Sequence, residues 1–186
     1  MGLLTFLIAI FLTFPLQSIA ARSPLYIAIP LLVLVILVGV LFDIVGVAVA
    51  VAEESPLHAM AAKRLPGARQ ALRLTRNADR VSNFCNDVVG DIAGTLSGAL
   101  GAAVAVNMLL AAGKGTPLLE MVTNTGLLAL VAAGTVVGKA LGKTYAMTRA
   151  VDVTLRAGQV LSWFEYVLHR EFLGNGPRRR RGENGR

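Results

Sequence analysis

The stretch NFCNDVVGDIAGTLSGALGAAVAV, residues 83–106, is apolar and long enough to cross a bilayer, yet it carries two carboxylates. Asp87 and Asp91 are four residues apart, so they share one face of a helix. Gly90, Gly94 and Gly98 form a GxxxGxxxG ladder on a neighbouring face, a pattern that lets membrane helices approach closely. The stretch predicts a membrane helix with a polar site beside a close helix contact.

The composition of the whole chain is that of a membrane protein. Of its 186 residues, 55% are hydrophobic and 16% are charged, and the mean hydropathy is +0.65. The net charge of +7 would suit a nucleic-acid-binding protein, but the basic residues flank apolar blocks, so we expect no nucleic-acid partner. With one cysteine, Cys85, the chain forms neither an internal disulfide nor a cysteine metal cluster. No nucleophile, base and orienting group make a recognisable set, so we expect no enzymatic activity.

Four apolar blocks predict the membrane-spanning part of the chain. The first, residues 2–20, is either a retained helix, bent near its end by Pro15, or a signal peptide with a small-residue cleavage site at 18–20. It has no basic residue before the apolar run, which favours the retained helix. The other blocks are residues 24–51, the stretch that opens at 83 and runs to about 112, and residues 118–141 after a turn at 113–117.

Two segments mix apolar and basic residues at helical spacing. Residues 56–80 predict two short amphipathic helices at the membrane surface, broken at Pro66-Gly67, with Ser55-Pro56 as N-cap and first residue. A solvated cytoplasmic loop is the alternative there. Residues 150–173 predict an interfacial helix. The predicted division is a membrane helix or signal peptide at 1–23, a transmembrane domain at 24–173 and a basic disordered tail at 174–186.

The basic residues predict the orientation. Six lie between the second and third blocks, and more follow the fourth block, including the arginine run at 178–181. On the opposite side only Arg22 and Lys114 remain. The positive-inside rule therefore places residues 53–80 and the C-terminus in the cytoplasm of a multi-pass inner-membrane protein. The N-terminus is also cytoplasmic if the first block is retained.

Ionisable residues on three of these helices lie at a similar depth. Counting about 1.5 Å per residue, Asp43 and Lys139 lie about 10–12 Å from the cytoplasmic ends of their helices, and Asp87 and Asp91 lie about 10–16 Å beyond Arg80. A charge at the bilayer centre costs about 3 kcal/mol on insertion scales, so we expect these groups to face the bundle and meet.

This polar cluster has two interpretations. Asp43, Asn86, Asp87 and Asp91 can bind a hard cation, with Asp87 and Asp91 as metal ligands, because such ions prefer oxygen. Alternatively, Lys139 pairs with an aspartate and the cluster only fixes helix packing. The fourth block carries a second small-residue ladder, and the two ladders serve either packing within one chain or a homodimer contact. That second ladder consists of Gly134, Gly138 and Gly142.

Three local motifs resemble those of one family. ADR at 78–80 is similar to a P-D-R turn, NDVVG at 86–90 to part of G-N-N-L-V-N, and GKALGK at 138–143 to G-E-I-I-P-K. On these motifs, about two-thirds of the chain, from Phe42 to the last helix, resembles the transmembrane domain of the CNNM/CorB/CorC family of magnesium transport proteins. The resemblance implies a membrane helix, short cytoplasmic-side helices, two more membrane helices and an amphipathic belt helix.

The departures from this family fall where it binds its cation. DIVGVA at 43–48 stands where the family has S-G-S-E-T-A, Asp87 replaces an asparagine, and Lys139 replaces the glutamate of G-E-I-I-P-K. Any bound cation therefore needs Asp43, Asp87 and Asp91 in place of the family's ligands.

We therefore expect an all-α membrane protein, a three- to four-helix transmembrane bundle with juxtamembrane amphipathic helices, forming a homodimer in the lipid bilayer. The expected function is divalent-cation transport or binding across the inner membrane, with Mg²⁺ as possible ligand or substrate and no firmly implied cofactor. The alternative is a non-transporting membrane scaffold or regulatory module that keeps a degenerate transporter fold.

Overall fold

The computed structural model describes residues 2–112 and 116–168, and within these ranges the chain is helical and contains no β-strand. The all-α class predicted from the sequence is confirmed for this part of the chain. The helices, in chain order, are α1 (Gly2–Arg22), α2 (Leu25–Val51), α3 (Glu54–Ala62), α4 (Ala68–Arg76), α5 (Ala78–Asn83), a π-helical segment (Phe84–Val89), α6 (Gly90–Ala112), α7 (Pro117–Thr148) and α8 (Ala150–Leu168).

Three helical stretches of the described chain are long and apolar enough to cross a membrane. They are Leu25–Val51, Ala78–Leu110 and Pro117–Thr148, and the apolar part of α1, Thr5–Ile19, is shorter. The third block thus begins five residues earlier than its predicted start at 83, because α5 continues through the π-helical segment into α6. Of the predicted turn at 113–117, residues 113–115 lie outside the described residues, as does the predicted tail at 174–186, and α7 begins at Pro117.

The described helices belong to two compact units, and the predicted division at 23 and 173 stays a prediction. The first unit contains residues 1–43 and 85–142, and the second contains residues 44–84 and 143–186. The divisions fall inside α2, inside α7 and at the start of the π-helical segment.

The core of the first unit lies between α2 and α6. Its buried side chains recur at helical spacing on both helices, with α1, α6 and α7 adding partly buried ones, so each helix contributes one apolar seam. Gly39 permits the close approach of α2 to α6, since a Cβ there would lie 2.7 Å from the Cβ of Ala93. Large apolar side chains such as Leu37, Leu110 and Leu130 point away from this core, as they do on helices that face lipid. The buried core residues are Ala28, Leu32, Val35, Ala93, Leu96, Leu100 and Val104.

The second unit is built on the packing of α4 against α3 and α8. The break between α3 and α4 is confirmed at its predicted place, where Gly67 adopts a positive φ of 77°. Gly158 of α8 lies so close to α4 that a Cβ would approach the backbone nitrogen of Ala71 to 2.6 Å. The predicted N-cap at Ser55 is wrong by two residues: α3 begins at Glu54 after Glu53, which caps it without a side-chain hydrogen bond.

Candidate functional site

A buried ion pair joins α2 to α7 in the first unit. Asp43 is only 3% exposed, and its Oδ2 lies 3.6 Å from Nζ of Lys139, whose side chain is 26% exposed. This separation is longer than the roughly 2.7–2.9 Å of a charge-assisted hydrogen bond, so the contact is a Coulombic pair. The carboxylate is therefore held in the protein interior while its counter-charge keeps access to the surface.

Gly90 makes room for this pair. It is buried at the start of α6, and a Cβ there would lie 3.2 Å from Oδ1 of Asp43 and 3.5 Å from Nζ of Lys139. Gly138, one residue before the lysine, lies equally close to α2, since its Cβ would meet Cγ2 of Val40 at 3.2 Å. One glycine from each predicted ladder thus serves packing inside one chain, around the ion pair.

The π-helical segment just before Gly90 carries Asn86, one of the predicted cation ligands. Its Oδ1 is buried and has no hydrogen-bond partner among the described residues. A buried acceptor without a partner costs about 1–3 kcal/mol. Single π-helical turns inside α-helices are rare and frequently occur at functional sites. Asn86 therefore offers an amide oxygen that a cation or a proton donor can satisfy.

Asp87 and Asp91 do share one helix face, as their spacing predicts, but that face points out of the first unit. Both side chains are exposed, and no described residue forms an ion pair with either. The reason is the periodicity of the helix: its buried side is formed by residues such as Val88, Ile92 and Leu96, so the carboxylates fall on the other side. The structure brings Asp43 and Lys139 together and leaves Asp87 and Asp91 outside that contact.

The described residues do not assemble the predicted set of carboxylate ligands within one chain. No group of three or more His, Cys, Asp or Glu side chains in residues 2–112 and 116–168 is arranged to hold a metal ion. Thr135, which could have supplied another oxygen, donates its hydroxyl to the carbonyl of Val131 in its own helix at 2.7 Å. A cation at Asp43 would thus depend on neutral oxygens, on displacement of Lys139, or on a second copy of the chain.

The remaining glycines of the two ladders differ in their surroundings. At Gly94, Gly98 and Gly134 an added Cβ would meet no heavy atom within 4 Å, whereas Gly142 is buried. Gly94 is exposed on the same side of α6 as Asp91. The open glycines leave a surface that another helix can approach closely.

Two asparagines inside the apolar helices α6 and α7 make or offer polar contacts that the sequence pattern does not indicate. Asn107 of α6 donates from Nδ2 to the carbonyl of Ser23 at 3.3 Å, and Oδ1 of Asn124 on α7 is buried without a hydrogen-bond partner among the described residues. Sequence reasoning misses both, because an amide inside an apolar block stands out less than a charge.

Glu165 of α8 lies in the segment that the sequence predicts as an interfacial helix. The structure places its carboxylate 3.6 Å from Nη1 of Arg73 and within 3.1 Å of the donating Nε2 of Gln70. These contacts pin α8 to α4 in the second unit. A charged residue in an amphipathic pattern does not by itself reveal which partner it meets.

No family model, no curated protein and no solved structure matches this chain. The resemblance to the CNNM/CorB/CorC transmembrane domain, and the function it implies, therefore remain predictions from the motifs.

Proposed function

We propose that this protein transports or binds a divalent cation across the inner membrane, with magnesium as the first candidate by family resemblance. We propose further that Lys139 supplies the counter-charge of Asp43 whenever no ion is bound. The observation that carries the proposal is the asymmetric pair: a carboxylate 3% exposed, 3.6 Å from an ammonium on a side chain that is 26% exposed.

A charge buried in the membrane interior needs a counter-charge. Asp43 lies in a helix apolar enough to span a membrane, where a carboxylate without a counter-charge is destabilising whether or not an ion is bound elsewhere. A partly exposed lysine can swing its ammonium toward the surface along a flexible four-carbon stem, whereas the carboxylate cannot follow. A hard divalent ion prefers carboxylate and amide oxygens, so it can replace Lys139 beside Asp43, with the open Oδ1 of Asn86 as a further candidate ligand.

A homodimer in the bilayer is part of the proposal. Asp87, Asp91 and Gly94 occupy an exposed side of a helix whose composition suits the membrane interior, where carboxylates facing lipid are unfavourable. A second copy packed on the open glycines would remove them from lipid and bring four carboxylates to one interface. Such an interface would need a bound cation or protons to offset like-charge repulsion.

The proposed orientation follows from the flanking charges. The described basic residues between the second and third apolar blocks include Lys63, Arg69 and Arg80, and the positive-inside rule assigns this segment to the cytoplasm. The C-terminus then lies on the same side.

Magnesium flux into liposomes that contain the purified protein tests the proposal. We expect Asp43→Asn to abolish flux without loss of helicity, because it removes the charged ligand that the ion shares with Lys139. Lys63→Gln, an exposed charge change outside the site, is the matched control and should leave flux unchanged. Flux that survives in Asp43→Asn would refute a role for the pair. Asp91→Asn shows whether the exposed carboxylates also take part.

A non-transporting membrane scaffold or regulatory module is the second candidate, and one observation favours it. Lys139 already provides the positive charge at Asp43, and the described residues gather no three-carboxylate ligand set. Under this function, Asp43 and Lys139 only lock α2 to α7. Correctly inserted protein that passes neither magnesium nor other divalent ions would establish this candidate over the first.

A further inference from the structure

Helix α8 carries a row of large apolar side chains that face away from the protein, while its inward side mixes small, apolar and polar residues. Thr154 and Gly158 are buried, and the carboxylate of Glu165, only 10% exposed, contacts Arg73 of α4. The opposite side carries Val160, Trp163, Phe164 and Val167, all exposed, and Trp163 is 61% exposed. A surface helix of a water-soluble protein keeps side chains of this size on its core-facing side. The outward face of α8 therefore requires an apolar surrounding.

Arg156 lies at the beginning of this outward face. It precedes Val160, Trp163 and Val167 by four, seven and eleven residues, which places all four on one side of the helix. Its side chain is exposed and forms no ion pair with the described residues. We call Arg156, Val160, Trp163, Phe164 and Val167 the α8 stripe.

The chain itself indicates what covers the α8 stripe. Only Arg149 separates α8 from α7, which is long and apolar enough to span a membrane, so the stripe starts close to where that helix leaves the bilayer. Tryptophan is typical of the headgroup level, and arginine extends its charge toward phosphates from an apolar base. The rings of Trp163 and Phe164 stand edge to face with their centroids 5.1 Å apart, an arrangement that aromatic pairs favour.

The charge balance of the second unit favours anionic headgroups. Within its described part, five exposed basic side chains lack an ion pair, against two exposed acids, Glu53 and Asp79; a third exposed acid, Asp152, pairs with Arg149 at 3.5 Å. A cation near an anionic membrane surface contributes about 1 kcal/mol of attraction. The five basic side chains are Lys63, Arg64, Arg69, Arg80 and Arg156.

We propose that the α8 stripe lies in the headgroup region of the bilayer and binds anionic phospholipid, with Arg156 as the phosphate-contacting residue and Trp163 inserted among the acyl chains. This proposal does not depend on cation transport.

Trp163 is the chain's single tryptophan, so its fluorescence tests the proposal in the full-length protein. In phosphatidylcholine liposomes we expect strong quenching by acyl-brominated phosphatidylcholine and weak quenching by aqueous acrylamide. Strong acrylamide quenching would place the stripe in water. Shielding from both quenchers would place protein over it. Either result would overturn the proposal.

The headgroup preference is measured as quenching of Trp163 fluorescence in liposomes that contain both phosphatidylglycerol and phosphatidylcholine. In one preparation the phosphatidylglycerol is brominated, and in the other the phosphatidylcholine is brominated. We expect the anionic lipid to be enriched at Trp163 about fivefold, which corresponds to about 1 kcal/mol. Arg156→Gln should remove this enrichment, Arg156→Lys should retain most of it, and Arg22→Gln, a matched charge loss outside the second unit, should leave it unchanged. Enrichment that persists in Arg156→Gln would assign the headgroup contact to another part of the chain and overturn the role of Arg156.

Discussion

Replacing Lys139 with methionine removes the ammonium from beside a carboxylate that stays buried. At a separation of 3.6 Å and an effective dielectric constant of about 20, the lost attraction is about 5 kcal/mol. Breaking buried pairs by removing one partner typically destabilises proteins by about 3–5 kcal/mol, so we expect Lys139→Met to cost an amount in this range.

Replacing the other partner, Asp43, should lower the free energy of unfolding by less. Asp43→Asn leaves behind a lysine that is already 26% exposed and can turn its ammonium toward the surface, so no charge is trapped. The double variant removes both charges, and we expect its stability to return close to that of the wild type, because uncharged replacements of buried pairs are often neutral. The three variants therefore form a cycle whose coupling energy isolates the pair.

The assay is the free energy of unfolding in mixed detergent micelles, followed by helical circular dichroism as the denaturing detergent increases. Lys63→Met is the matched control, since this exposed lysine has no ion pair in the described chain and should change stability by no more than about 0.5 kcal/mol. A cost for Lys139→Met no larger than that of the control, or smaller than that of Asp43→Asn, would refute the reasoning from asymmetric burial.

Further substitutions test the glycine and α8 contacts. Gly90→Ala should destabilise by about 1–3 kcal/mol in the same assay, because its Cβ would lie 3.2 Å from Oδ1 of Asp43; an unchanged stability would contradict that packing. Gly94→Ala should raise the stability of one chain by up to about 1 kcal/mol through helix propensity yet weaken self-association, which energy transfer between labelled copies measures; undiminished transfer would exclude Gly94 from a dimer contact. Gly158→Ala should force α4 and α8 apart and cost about 1–3 kcal/mol, seen as a lower unfolding midpoint, and an unshifted midpoint would contradict the close approach. Glu165→Gln should lose the pair with Arg73 and cost about 1–2 kcal/mol, and the contact would be dispensable if stability were unchanged.

Much of the helical architecture can be predicted from the sequence because apolar blocks and helix breakers act locally. The second apolar block, predicted at 24–51, is α2 at Leu25–Val51, and the break at Pro66-Gly67 separates α3 from α4. The start of the third block and the end of the fourth are harder to predict. The third helical stretch begins before its apolar run, with polar residues such as Asp79 and Arg80, and α7 continues past its apolar run to Thr148. Hydropathy alone therefore predicts too late a start for the third block and too early an end for the fourth.

The orientation of side chains around a helix is harder to predict. Spacing shows that Asp87 and Asp91 share a face, but it does not show whether that face meets α2 or points outward, because glycines, alanines and valines surround both sides. Lys139 and Asp43 meet because Gly90 leaves room beside both side chains and Gly138 lets α7 approach α2, an outcome that one of the two sequence interpretations contained.

For helix α8, too, the sequence does not predict which side faces the protein. Its amphipathic pattern predicts an interfacial helix, yet the pattern does not reveal that Glu165 faces α4 while Trp163 faces outward. That assignment depends on Gly158, whose missing side chain allows α4 to approach the side of α8 that also carries Glu165.

In the proposed function, Asp43 accepts either Lys139 or a cation as its counter-charge, and this is the claim to test. The test is a magnesium titration of the free energy of unfolding, in which the Lys139→Met variant is compared with the double variant that also carries Asp43→Asn. We expect magnesium to restore Lys139→Met, by about 2.7 kcal/mol at one hundred times its dissociation constant, and to leave the double variant unchanged. Equal responses of the two variants, or no response of either, would contradict the claim.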